Sequence, residues 1–230
     1  MKTILDFLKR LARHNDREWF QQHKSEYEEV KTKVSNLASQ FIEAVAQVDP
    51  EAARLRPSDC TYRIYRDVRF SSDKSPYKTH IGIFINPPYG KKGMTAGYYF
   101  HIEPGNCFIA AGAACLPSKV VTAIRRSIYD EIDEYRAIVE SPDFRRLFPL
   151  LGMNPLKTAP AGIARDWEWV EYVRPRDFIA WGDMPEELLS SFDTDATSLS
   201  QETASLLEPY IEQMHKYNRF VNFTIEDFIN

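Results

Sequence analysis

No stretch of the 230 residues is both long and free of charge, so the sequence offers nothing that reads as a membrane-spanning helix. The first residues interleave Lys2, Asp6, Lys9 and Arg10 with apolar side chains, which is not the pattern of a signal peptide. Cysteine is scarce and odd in number. Cys60, Cys107 and Cys115 form no close pair with zinc-ligand spacing, and they read as small buried residues of a reducing compartment, with a soluble cytoplasmic protein as the expectation. Overall basicity is lacking too: 29 Lys and Arg against 33 Asp and Glu leave a net charge of −4, unlike a general nucleic-acid coat protein. There is no phosphate-loop lysine motif, no Gly-rich dinucleotide fingerprint, no nucleophile elbow and no pair of histidines at zincin spacing, which removes the enzyme classes with local signatures. Repeats, linkers and low-complexity runs are likewise missing, so residues 1–230 are expected to form one domain. At this length about 70% of the unfolded surface can be buried without disulfide support.

What is present is concentrated between Tyr62 and His80. There Arg63, Arg66, Arg69, Lys74 and Lys78 face only Asp67 and Asp73, a local cationic excess in an acidic chain. The first half alternates, with Tyr62, Ile64, Arg66, Val68 and Phe70 on one parity, and reads as a strand. Ser71 to Pro76 reads as a turn whose Ser and Asp side chains bond nearby backbone.

The run Arg-Asp-Val-Arg-Phe-Ser-Ser-Asp-Lys-Ser-Pro-Tyr-Lys, residues 66–78, resembles the signature of a widespread family of soluble bacterial and fungal proteins known as a domain of unknown function. Further likeness lies in Asn15-Asp16-Arg17-Glu18-Trp19-Phe20, in Tyr99-Phe100-His101-Ile102 with the small-residue run to Gly112, and in Arg125. The resemblance covers most of the chain and implies no particular reaction, so the residues must carry the functional argument.

Along the chain, Ile4 to Leu11 reads as a short helix. A main helix follows from an Asn15/Glu18 capping box to Asp49-Pro50, with the stripe Phe20, Tyr27, Val30, Val34, Leu37, Phe41, Ala44 and Val48. His23 lies on that stripe, either as a base or ligand facing the basic segment or, the commoner case, as an inward histidine at the core edge; Trp19 reads as an anchor. Ile81 to Ile85, Tyr98 to Ile102 and Cys107 to Cys115 read as antiparallel strands. The small residues Ala110 to Ala114 leave room over the sheet for a packed helix or a ligand, the helix being the more frequent reason. Pro117-Ser118 opens a second long helix reaching Val139, and Asp143 to Leu150 forms a short one. Trp167 and Trp169 with Arg174 and Arg176 either stack on a base or close a core over a loop. Phe178 to Trp181 is a strand, Pro185 to Phe192 a short helix and Thr197 to Val221 the last long helix.

The pattern predicts an α+β protein: a mainly antiparallel sheet with long helices packed on one face. On the other face, or at the sheet edge, we expect an anion site. Arg63 and Arg69 supply forked donors, Arg66, Lys74 and Lys78 add charge, Tyr77 adds a hydroxyl, and Arg125 leans over the polar sheet face. Asp67 orients an arginine or acts as a base, and His101 is the candidate proton shuttle. The expected partner is a phosphate- or carboxylate-containing small molecule, in preference to nucleic acid. A protein-interaction scaffold, with the basic stretch as a salt-bridge network, is the further alternative. His80, His101, Glu103 and Asp67 carry metal-ligating atoms, but they come from separate segments whose register is not written in the sequence. No metal and no cofactor is assigned.

Overall fold

The computed structural model describes residues 1–229, with Ile229 through its backbone alone. Its helices are α1 (Lys2–Arg13), α2 (Arg17–Gln22), α3 (Lys24–Ala46), α4 (Pro57–Cys60), α5 (Ser118–Asp130), α6 (Ile132–Val139), α7 (Pro142–Leu147), α8 (Val170–Val173), α9 (Glu186–Ser191) and α10 (Gln201–Ile229). The strands are β1 (Ile81–Ile85), β2 (Gly97–Ile102), β3 (Phe108–Ala113), β4 (Leu150–Met153) and β5 (Asp177–Asp183). They form an antiparallel sheet in the order β1-β2-β3-β5-β4, which confirms the expected α+β class.

Alternation along each strand decides which side chain meets the helices. Ile83, Ile85, Tyr98, Phe100, Ile102, Ile109, Ala111, Ala113, Phe178 and Ala180 are buried. α10 packs on β2 and β3, and α3 packs on β1. Phe41 of α3 stacks on Phe100 with ring centroids 3.6 Å apart. Ala111 and Ala113 let α10 approach β3 closely, so the small residues do serve helix packing on this face.

Of the three long helices expected, the last is present as the continuous α10 and the first two are broken. The first divides at His23, whose backbone (φ −106°, ψ 21°) leaves the helical region. Its Nδ1 donates to the Trp19 carbonyl at 2.8 Å and its ring stacks on Trp19 at 4.0 Å, so it finishes α2 as a structural histidine. The second divides at Glu131 (φ −112°, ψ 40°), between α5 and α6. The cap of α2 is Asp16, which accepts from the Trp19 N–H, while Asn15 is engaged elsewhere. The short helix expected from Asp143 to Leu150 ends at Leu147, and Leu150–Met153 is the edge strand β4. Cys60 is buried, as the sequence suggested, but Cys107 is half-buried and Cys115 exposed. Trp167 packs on Tyr129 at 4.8 Å, the loop-closing role.

The stretch expected as a strand from Tyr62 to Phe70 is an irregular arm that doubles back on itself. The Arg66 N–H donates to the Pro76 carbonyl at 2.9 Å and the Lys78 N–H to the Ile64 carbonyl at 2.8 Å, with a single bridge between Tyr65 and Tyr77. Its base joins the sheet edge through the Thr61–Ile83 bridge. Ile64 alone of the presumed inner parity is fully buried, and Phe70 at the tip is 96% exposed. The arm is tied down by Asn15: its Nδ2 donates to the Tyr77 carbonyl at 2.9 Å and its Oδ1 accepts the Tyr77 N–H at 3.0 Å.

Candidate functional site

The face of the sheet turned away from α3 and α10 is open, and the register explains its shape. Phe84 pairs with Tyr99, Tyr99 with Ala110, Ala110 with Trp181, and Trp181 with Leu150, giving one row across all five strands. Large side chains stand on both sides of a small one. Gly112 continues the low floor along β3, opposite Ile179. The result is a groove of about 790 Å³ running over β3, walled by Tyr99 and Phe84 on one side and Trp181, Ile179 and Leu150 on the other, with Phe108 of β3 itself in line with the floor. Tyr62, Lys91 and Met94 close its rim, and Asn106 and Asp183 supply polar groups. Pockets of this size and lining suit small organic molecules.

Beside the groove lies a polar cluster. His101 shares the open face with Tyr99 and lies opposite Gly82 on β1. The Tyr99 hydroxyl reaches His101 Nδ1 at 2.9 Å, and His101 Nε2 faces Glu103 Oε2 at 3.3 Å. Gly82 makes this possible, since a Cβ there would stand 2.7 Å from the Tyr99 hydroxyl. Asn106 donates to Glu103 at 2.8 Å and Thr79 at 3.3 Å. The His80 ring stacks on His101 at 4.6 Å, and Phe108 stacks on its other side at 4.4 Å. Burial lowers the pKa of His101 against the opposing pull of Glu103. His80 is lowered by burial and then by His101, so both rings favour the neutral form. Burial pushes the Tyr99 hydroxyl up to about 12. For Glu103 burial acts upward, but hydrogen bonds from Asn106, His101 and Thr79 outweigh it and keep the carboxylate ionised.

The basic residues divide into two groups. Arg69 holds Asp67 through its Nε at 2.9 Å and its Nη2 at 2.6 Å, and Arg66 is paired with Asp73. Lys74 donates to the Val68 carbonyl at 3.0 Å. These contacts tie the arm to itself. Asp67, its pKa lowered by Arg69, is taken up by that arginine and lies outside the group that gathers around His101, which is His80 and Glu103. Tyr77 is buried and stacks on Phe20 at 4.0 Å, an anchor for the arm. Arg125 is remote, on the β5 side of the sheet, donating to the Pro175 carbonyl at 2.7 Å.

Lys78 and Arg63 differ from the rest. Among the described residues neither side chain has a carboxylate within 4 Å or a hydrogen-bond partner, whereas Lys74, also without a carboxylate, holds the Val68 carbonyl; Asp67 acts on Arg63 only at longer range. Lys78 Nζ lies 5.3 Å from the centroid of Tyr62, the ring that also lines the groove. Its pKa is lowered by burial and then by Arg63. A cation that is half removed from water and set beside another cation is a costly arrangement for a fold to keep without a counter-charge.

Of the residues expected to bind a ligand, Lys78 therefore stands next to Tyr62 of the groove's rim, with Arg63 near Lys78, and Arg66, Arg69, Lys74, Tyr77 and Arg125 are engaged otherwise. The aromatic walls were not singled out as a site. Phe84, Tyr99, Phe108 and Trp181 each lie on one parity of a recognisable strand, but only the register aligns them.

An open-faced antiparallel sheet, helices on its other face and a clamped basic arm at its β1 edge define a helix-backed single-sheet protein. Residues 3–212 match the family described as conserved hypothetical protein (DUF2461), and the chain belongs to that family. No curated protein and no solved structure matches it. Among the described residues no helix is long and apolar enough to cross a membrane.

Proposed function

We propose that the protein binds a small molecule with an apolar body and a phosphate or carboxylate end. The body lies along β3 between Tyr99 and Trp181, and the anionic end meets Lys78 and Arg63 beside Tyr62. The observation that carries this reading is a half-buried lysine with no carboxylate at hand, set against Tyr62 at the rim of an apolar groove and near a second cation, Arg63. An anion there would regain the Coulomb energy that burial and the neighbouring Arg63 cost Lys78. The acidic total charge favours a discrete ligand over nucleic acid. For Arg66 and Arg69 the salt-bridge reading is the better one, because each has its carboxylate within the arm.

The test is a thermal-shift screen against phosphate, sugar phosphates, nucleotides, fatty and aromatic carboxylates and short oligonucleotides, on the native chain and three variants. A hit is expected with an amphiphilic anion. It should survive Arg69→Ala, disappear in Lys78→Met, and disappear in Ala110→Trp, which fills the groove floor. A stabilising ligand that ignores both Lys78→Met and Ala110→Trp refutes the reading, as does a screen without any anionic hit.

A further inference from the structure

The geometry points to a divalent transition-metal site formed by His80, His101 and Glu103, independent of the anion reading. The two imidazoles and the carboxylate each turn one ligand atom inward, and these atoms lie within 4.8 Å of one another. Tetrahedral Zn(II), with bonds of about 2.0–2.1 Å to nitrogen and oxygen, requires donor–donor edges of about 3.3–3.4 Å. The edge from His101 Nε2 to Glu103 Oε2 already measures 3.3 Å. His80 need only close the other two edges, and it is free to move: it makes no hydrogen bond among the described residues and its ring is held by stacking alone. Two imidazoles with one carboxylate suit Zn(II) better than Mg(II) or Ca(II), which prefer all-oxygen shells. Three protein donors leave a tetrahedral ion one position open.

The surroundings are those that metal-ligating side chains require. Tyr99 fixes the His101 ring through Nδ1, and Asn106 and Thr79 hold Glu103. A hydroxyl can give or accept. Without metal, the Tyr99 O–H donates to Nδ1 and Nε2–H donates to Glu103. With metal, Nδ1–H donates to the Tyr99 oxygen and the Nε2 lone pair turns to the ion. The same hydroxyl therefore gives His101 Nδ1 a partner in both tautomers.

The test uses the full chain and Zn(II) alone, by isothermal titration after chelator treatment, with Co(II) absorption to report coordination. One ion per chain is expected, with an intense tetrahedral Co(II) band. His80→Asn and Glu103→Gln, both at partly exposed positions, should each weaken uptake by about 100-fold or more while circular dichroism stays unchanged. Tyr99→Phe should weaken it by about 10–100-fold, the effect of removing an outer-shell partner. Cys115→Ser, which removes the exposed thiol, should leave uptake intact. Absence of Zn(II) uptake by the native chain overturns the proposal. So does uptake by His80→Asn or Glu103→Gln within threefold of native, since the ion would then sit elsewhere.

Discussion

Asn15→Ala tests how the basic arm is held. Asn15 pairs with both backbone groups of Tyr77, as a neighbouring strand would, and its amide fits in one orientation only: Nδ2 to the carbonyl, Oδ1 to the N–H. Tyr77 is the buried anchor of the arm, so removing the amide leaves its backbone groups short of partners next to the core. Two lost bonds at about 1 kcal/mol net each give a destabilisation of about 2 kcal/mol. In a chain of this size that lowers the melting temperature by about 4–8 °C. Asn15→Asp separates bonding from shape. It keeps an acceptor for the N–H but sets a carboxylate oxygen against the Tyr77 carbonyl, so it should lose at least as much. Urea unfolding gives the free energy, and hydrogen exchange at the Tyr77 amide gives the local effect. Exchange should accelerate in both variants ahead of global unfolding. A melting shift under about 1 °C, or an unchanged exchange rate at Tyr77, would falsify the clamp.

Three further outcomes are expected. Lys78→Met should raise the melting temperature of the ligand-free protein slightly, by about 1–2 °C at neutral pH, since it removes a half-buried cation but keeps the stem. Because the folded pKa of Lys78 is lowered, the folded chain binds fewer protons than the unfolded one between that pKa and the usual lysine value. The native protein's deficit against Lys78→Met should therefore shrink as pH rises through that window, as paired urea titrations at pH 7 and pH 10 can measure; a gap that widens contradicts the assignment. Gly112→Ala should cost about 3–5 kcal/mol, read by urea unfolding or as loss of soluble expression. Its φ is +118° and the new Cβ would stand 2.0 Å from the Phe178 carbonyl oxygen, so a mild phenotype would contradict the β3–β5 contact. The Cys60 thiol is pushed up to about 12 by burial, so iodoacetamide at neutral pH should modify exposed Cys115 and leave Cys60 intact until the chain is denatured, as peptide mass spectrometry would show.

The sequence carried the sheet well where strands alternate between large apolar and other residues. Ile81–Ile85 was legible to the residue, and β2, β3 and β5 to within a residue or two. β4 was not, because four residues after Pro149 with two leucines fit a helix end as well as an edge strand. The helix breaks at His23 and Glu131 escaped because the stripe continues on both sides: a kink that keeps one face on the core leaves the period undisturbed. The arm misled for the opposite reason. Alternation from Tyr62 to Phe70 is real, but hydrogen bonds from Arg66 to Pro76 and from Lys78 to Ile64 fold the segment on itself instead of into the sheet. Charge density located the neighbourhood of the candidate site and could not rank its members. Which arginine has a carboxylate at hand depends on turn geometry, which pairs Arg69 with Asp67 two residues away and Arg66 with Asp73 seven away. The His80–His101–Glu103 cluster depended on the β1–β2 register, which no local pattern encodes.

β3 carries small residues on both of its faces, and the two sets answer to different demands. Ala111 and Ala113 set how near α10 can come, whereas Ala110 forms the bed of the groove. Neighbouring positions in one strand thus govern separate properties. Enlarging an inward residue presses on the helix layer, and enlarging Ala110 presses on the cleft. The width of the cleft can therefore be altered at a single codon on the face turned away from the helix layer, so substitutions at Ala110 and at Ala111 separate the groove's shape from the packing of α10.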